Sequence, residues 1–160
     1  MATATGSQSV QRRARLVFLS LRFGEGMWVG ELVKKALEAK GIHAFLCDVQ
    51  EGGDIAQAIS DHLDRCDLVV VLGTKTYGRK TSSGFSTFQE LRFVMDYEKP
   101  FFLIKMCESF AESETRLRLP PSIAYFPWTN YNADVPTALP ADLVTHILKK
   151  LDSVFVAIIL

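Results

Sequence analysis

The stretch SSGFSTFQEL, Ser82–Leu91, delivers one carboxylate, Glu90, directly after a loop of hydroxyls and glycine. Ser86 and Gln89 make the S-x-x-Q capping pattern, which predicts that Ser86 starts a helix and that Glu90 falls in its first turn. An acid there has an ordinary explanation, because the positive end of the helix dipole favours it. The alternative is a reactive group held at a fixed point. A second chemistry is offered by Gly24, Gly26 and Gly30, which follow an apolar run and open a helical pattern, with Asp48 placed where a ribose-binding acid would sit. The spacing G-x-G-x-x-x-G is one residue too long for the dinucleotide fingerprint, Arg22, Phe23 and Glu25 occupy the loop, and 160 residues leave no room for a substrate domain. A third chemistry, phosphoryl transfer to an aspartate with Mg²⁺, needs acids after the first strand and an aspartate after the third. The chain has Arg22 at the first place and Gly73-Thr74-Lys75 at the second. Cys47, Cys66 and Cys107 are odd in number and lack CxxC spacing, and His43, His62 and His146 add no zinc-type pattern, so neither a disulfide scaffold nor a metal site is expected.

The elements that must position these groups follow from composition and periodicity. Eighteen basic and eighteen acidic side chains cancel in a chain that is 48% apolar, which predicts one globular domain and gives no sign of a nucleic-acid or membrane partner. The runs Arg12-Arg13-Ala14-Arg15 and Arg79-Lys80 read as solvated surface. The opening MATATGSQSV lacks the apolar core of a signal peptide, and no run approaches the roughly 20 apolar residues of a membrane helix. With unpaired cysteines, the expectation is a soluble chain in a reducing, cytoplasmic compartment. Residues 1–14 are expected to be a flexible N-terminal segment and 15–160 a single domain. The closing run VFVAIIL either finishes a packed helix or marks where a longer protein was cut.

Apolar runs of strand length recur at Leu16–Leu21, Ile42–Cys47, Leu68–Leu72, Phe101–Ile104 and Ile123–Phe126, mostly continuous, as in strands buried on both faces. Between them Val29, Leu32, Val33, Ala36 and Leu37, then Ile55, Ala58, Ile59, His62 and Leu63, keep helical spacing. Gly41 reads as a helix stop and Gly53 or Asp54 as a cap. A third helix is expected from about Thr87 to Glu98, ended by Pro100, and a last one carries Leu143, Ile147, Leu148, Leu151, Val154 and Ile158. Glu108–Pro121 reads as a long connection with at most a short helix. This alternation predicts an α/β fold, a flavodoxin-like five-stranded parallel sheet of order 2-1-3-4-5 with helices on both faces. Ligands of such sheets bind beyond the strands' carboxyl ends, here Ser20–Gly26, Asp48–Asp54 and Gly73–Ser86.

Four motifs in order carry a family resemblance: Val17-Phe18-Leu19-Ser20-Leu21-Arg22; Ala44-Phe45-Leu46-Cys47-Asp48 with Gly52-Gly53; Asp67-Leu68-Val69-Val70-Val71-Leu72; and Ser86-Thr87-Phe88-Gln89-Glu90-Leu91. With Phe126-Pro127-Trp128 near the end, the chain from about Arg15 to Leu151 resembles a TIR (Toll/interleukin-1 receptor) domain. The resemblance implies one of two kinds of protein: an enzyme that cleaves NAD⁺ between nicotinamide and ribose, or a non-catalytic TIR interaction module that serves as a scaffold. The enzymatic kind carries a glutamate early in the helix after the third strand, which by motif position is Glu90. Where the family often has a tryptophan two or three residues earlier, this chain has Phe88.

A lone glutamate suffices for this chemistry. Ordinary glycosidases use two carboxylates because the departing oxygen needs a proton. In NAD⁺ the nicotinamide is already cationic and leaves neutral, so one carboxylate can hold the ribose hydroxyls and stabilise the charge growing on the sugar. The resemblance implies nicotinamide and ADP-ribose or a cyclic isomer as products. No cofactor or metal is required beyond NAD⁺ as substrate. Arg22 is suited to phosphate or to a carboxylate, or else forms a surface salt bridge. Phe23 and Phe88 are ring faces for stacking or packing, Asp48 a ligand or an anchor of its loop, Ser86 the cap beside the substrate, and Tyr77 and Trp128 candidate pocket walls. The second loop, Gln50, Glu51, Gly52, Gly53 and Asp54, is implied in homotypic TIR–TIR self-association that completes the site. Signalling in immunity or cell death is likewise what the resemblance implies.

Overall fold

Successive residues of a strand face opposite sides of its sheet, and this alternation decides which helices each strand residue meets. The computed structural model describes residues 14–47, 55–81 and 86–159. It contains β1 (Leu16–Ser20), α1 (Met27–Glu38), β2 (His43–Leu46), α2 (Ile55–Arg65), β3 (Leu68–Gly73), α3 (Thr87–Asp96), β4 (Phe101–Lys105), α4 (Ser113–Arg118), β5 (Phe126–Pro127) and α5 (Leu143–Ile159). The five strands are parallel and ordered β2-β1-β3-β4-β5, the expected flavodoxin-like arrangement. Val17 and Leu19 of β1, with Leu68, Val70 and Leu72 of β3, pack against Val29, Val33 and Leu37 of α1 and Leu143, Ile147 and Leu151 of α5. Phe18, Val69 and Val71 point the other way, against Ile59 and Leu63 of α2 and Leu91 and Val94 of α3. Ser20 lies two residues beyond Phe18, so the same alternation turns it toward α3.

A wholly buried leucine such as Leu63 contributes about 2 kcal/mol by leaving water, whereas an exposed ion pair contributes about 1 kcal/mol at most. Apolar burial in the two layers therefore outweighs exposed pairs such as Arg15–Asp152. The expected stop at Gly41 forms: its φ of +78° lets the Ile42 N–H turn back to the Leu37 carbonyl at 3.0 Å. Helix α3 ends at Asp96, two residues earlier than expected, because Glu98 itself takes a left-handed φ of 51° and Lys99 N–H caps the Val94 carbonyl at 2.9 Å.

The fifth strand also departs from expectation. Of the run Ile123–Phe126 only Phe126 pairs, with Pro127 added, and they meet Ile104 and Lys105. The segment before it follows Pro120 and Pro121 through a turn in which Ile123 N–H bonds the Pro120 carbonyl at 3.0 Å. Pro127 is tolerated because the donor facing β4 is its neighbour: Trp128 N–H reaches the Lys105 carbonyl at 2.8 Å, leaving the missing proline N–H on the outer edge. Among the described residues no helix is long and apolar enough to cross a membrane.

Candidate functional site

Helix α3 begins at its expected cap. Ser86 is extended, with φ −139° and ψ 177°, its N–H donates to Gln89 Oε1 at 2.8 Å, and Glu90 N–H bonds the Ser86 carbonyl at 3.0 Å. Thr87, Glu90, Leu91 and Val94 are the buried residues of the helix, spaced i, i+3, i+4, i+7. Glu90 therefore stands on the stripe that faces the core, only 7% exposed, instead of on the solvated side where a simple dipole partner would sit. Ser20, the last residue of β1, donates its hydroxyl to Glu90 Oε1 at 2.8 Å. The Tyr77 hydroxyl lies 2.6 Å from the same Ser20 oxygen, and the tyrosine is completely buried.

The turn after β3 is fastened on two sides. Thr115 of α4 donates its hydroxyl to the Tyr77 carbonyl at 2.8 Å, and the Gly78 N–H donates to Thr87 Oγ1, at the start of α3, at 2.9 Å. Gly78 has φ +87°, and a Cβ placed there would lie 2.1 Å from Thr115 Oγ1. Gly78→Ala thus combines left-handed strain with a steric conflict, and a loss of about 2 kcal/mol or more in denaturant unfolding is expected. A loss below about 0.5 kcal/mol would show that the turn yields freely.

Burial pushes the Glu90 carboxyl up to about 8, against the opposing hydrogen bond from Ser20. The Tyr77 hydroxyl is raised well above its usual range by burial first and then by the Glu90 charge, with Ser20 opposing, so it remains a proton donor. Among the described residues the only hydrogen bond to the Glu90 side chain comes from Ser20. The site therefore holds a desolvated acid, mostly neutral near pH 7, that would lose its proton to solvent when a positive charge arrives beside it.

Arg22 and Glu25, in the loop after β1, are joined to Thr76, the residue before Tyr77. Arg22 Nη1 donates to the Thr76 carbonyl at 3.3 Å and lies 3.7 Å from Glu25 Oε1, and the Thr76 hydroxyl donates to Glu25. Burial works to raise the Glu25 carboxyl, but the Thr76 hydrogen bonds and the Arg22 charge outweigh it and hold it below the usual carboxylate range. Phe23 is 46% exposed. Phe88 is half-buried, with the Lys80 ammonium 5.7 Å and the Arg92 guanidinium 5.9 Å from its ring centre.

Two of the expected pocket walls are enclosed instead. Tyr77 offers no surface to a ligand, because its ring belongs to the α2/α3 core and its hydroxyl to Ser20. Trp128 is 7% exposed and lies in the opposite layer with α1 and α5, its ring edge-on to Trp28 at 5.8 Å. Asp48, Gln50, Glu51, Gly52, Gly53 and Asp54 lie outside the described residues. Sequence reading missed Ser20 as a partner of Glu90, and the available signal was a hydroxyl closing the otherwise apolar strand LVFLS. It also missed Glu25 and Thr115, which carried no pattern of their own. Among the described residues no cluster of three or more His, Cys, Asp or Glu side chains is arranged to hold a metal ion.

The sequence from residue 17 to residue 139 matches the TIR domain family. The match covers well over half of the chain, and the protein belongs to that family. No curated protein matches the sequence. Among solved structures, the TIR domains in the activated Roq1 resistosome, which directly recognises the pathogen effector XopQ, align with 26% identity and a TM-score of 0.45 over 57% of this chain. This chain spans 57% of that one. The signal receiver domain of a putative Luxo repressor protein from Vibrio parahaemolyticus aligns with 13% identity and a TM-score of 0.50, over 92% of this chain and 96% of the other. That second likeness is one of fold.

Proposed function

We propose that this TIR domain cleaves NAD⁺ between nicotinamide and ribose, with Glu90 as the catalytic carboxylate, and that it works when self-associated. The observation that carries the reading is the placement of Glu90: a carboxyl buried on the core-facing stripe of α3, bonded to the carboxyl-terminal residue of β1, with no cation fixed to it among the described residues. Water is largely excluded there, so a growing positive charge interacts with the carboxylate far more strongly than it would in solvent. The cationic substrate draws Glu90 into its ionised form, which holds the ribose hydroxyls. The bond from ribose C1′ to the ring nitrogen breaks with its electron pair left on nicotinamide. Water, or a nitrogen of the same molecule's adenine, then attacks C1′ and gives ADP-ribose or a cyclic isomer. Arg22, beside Glu25 and Thr76, supplies charge for the pyrophosphate, and the exposed ring of Phe23 supplies a stacking face.

A second reading rests on the same burial. A neutral acid only 7% exposed and tied to a core serine also suits a module that assembles without catalysis. Purified protein incubated with NAD⁺ separates the two. The enzymatic reading expects nicotinamide release that rises faster than in proportion to protein concentration, with kcat/KM climbing with pH and levelling above about 8, where the free protein's Glu90 is ionised. No release at any concentration between pH 6 and 9 would leave the interaction module as the function.

A further inference from the structure

Three hydroxyl and carboxyl groups from separate parts of the chain form one unbranched line: Tyr77 Oη, 2.6 Å from Ser20 Oγ, which is 2.8 Å from Glu90 Oε1. All three residues are buried. A serine hydroxyl has a single proton, and an ionised Glu90, which can only accept, takes it. In that state Ser20 has no proton left for Tyr77, and of the two donors open to the 2.6 Å contact the tyrosine is the one that remains. We infer that Tyr77 is a positioning residue that acts on Glu90 through Ser20, its hydroxyl holding the one Ser20 proton on the carboxylate. Chained hydrogen bonds polarise one another, so the bond from Ser20 is strengthened by the bond behind it.

The fastening of the turn explains why Tyr77 can do this. Its carbonyl accepts from Thr115, and the next residue's N–H donates to Thr87, so α4 and the first residue of α3 fix the ring's approach. Charged groups of the neighbouring elements are engaged elsewhere, among them Lys75 with the Ser109 carbonyl, Arg79 with Glu112, Arg116 with the Phe110 carbonyl, Arg22 with Thr76, Glu25 with the Thr76 hydroxyl, and Lys80 and Arg92 near the Phe88 ring. After burial, the Glu90 charge is what raises the Tyr77 hydroxyl further. The relay is then the means of favouring the ionised form of an acid that burial otherwise keeps neutral. The catalytic consequence rests on the NAD⁺-cleaving reading, but the relay itself does not.

The test is a ¹³C titration of the Glu90 side-chain carboxyl in the 160-residue chain, for the parent, Tyr77→Phe, Ser20→Ala and the double variant. Ser20→Ala is expected to raise the Glu90 midpoint by about one pH unit, since a hydrogen bond to a charged group is lost. Tyr77→Phe, which keeps the ring, is expected to raise it by less, and to add nothing in the Ser20→Ala background. If Ser20→Ala does not fold, Ser20→Cys, with its weak thiol donor, takes its place. A midpoint unmoved by Tyr77→Phe, or moved as far with Ser20 as without it, would overturn the relay. Because the titration needs no turnover, a parent that releases no nicotinamide refutes only the catalytic reading. Where release is measured, the pH profile of kcat/KM should move by the same amount as the titration, a displacement that lost packing alone would not produce.

Discussion

Glu90→Gln is expected to lower nicotinamide release from NAD⁺ by at least about 10²-fold, and Glu90→Ala by as much or more. A preorganised group aimed at developing charge is commonly worth 10²–10³ in turnover, and here one carboxylate carries the whole of that task. Glutamine is the more informative substitution. It preserves the shape of the side chain and an oxygen able to accept the Ser20 hydrogen bond, now 2.8 Å, and removes only the charge. Release assayed by chromatography, with concentrated protein and each variant at matched concentration, gives the answer directly. Retention of more than about a tenth of parental turnover in Glu90→Gln would mean that the negative charge is not what breaks the glycosidic bond.

Stability should respond to the same substitution in the opposite sense. The folded state raises the Glu90 carboxyl from its ordinary 4.5 to about 8. Between those values the folded protein binds more protons than the unfolded chain, so the stability contributed by the protonated acid is fully present below about pH 4.5 and is lost as pH rises through 8. The loss is on the order of 1.4 kcal/mol for each pH unit crossed. Glu90→Gln cannot titrate and escapes it. Thermal or denaturant unfolding is therefore expected to find the two proteins closest in stability near pH 4.5, with the variant gaining steadily on the parent up to about pH 8 and holding its advantage above. Parallel curves across this range would show that Glu90 is solvated and ionised throughout. The two experiments also protect each other, since a variant that is more stable yet inactive has not lost activity by misfolding.

Much of the architecture was legible in the sequence because it is encoded locally. Strand-length apolar runs separated by i, i+3, i+4 stripes specify alternating strand and helix, and continuous strands specify burial on both faces; the flavodoxin-like order is the natural guess for five such strands, and β2-β1-β3-β4-β5 is the order found. The boundaries that differed were set by backbone hydrogen bonding that apolarity does not report. The run at Ile123–Phe126 is as apolar as a strand, but the turn after Pro120 takes the Ile123 N–H. Glu98 ends α3 in a left-handed conformation that glycine usually occupies. Trp128 shows a related limit: its position after the last strand pointed to the ligand-binding end, while its large apolar ring was drawn into the α1/α5 layer.

By itself the sequence determined that Glu90 lies in the first turn of a capped helix, because Ser86 and Gln89 act within three residues of each other. Whether that carboxyl meets water or the core was decided only by the tertiary structure. Its hydrogen-bond donor, Ser20, is 70 residues away in the chain, and the tyrosine behind that donor is 57 residues from Ser20. Parallel pairing brings the ends of β1 and β3 side by side, and the two-residue alternation turns Ser20 toward α3. A carboxyl's proton affinity depends on the solvent it loses and the partners it gains, and long-range packing sets both.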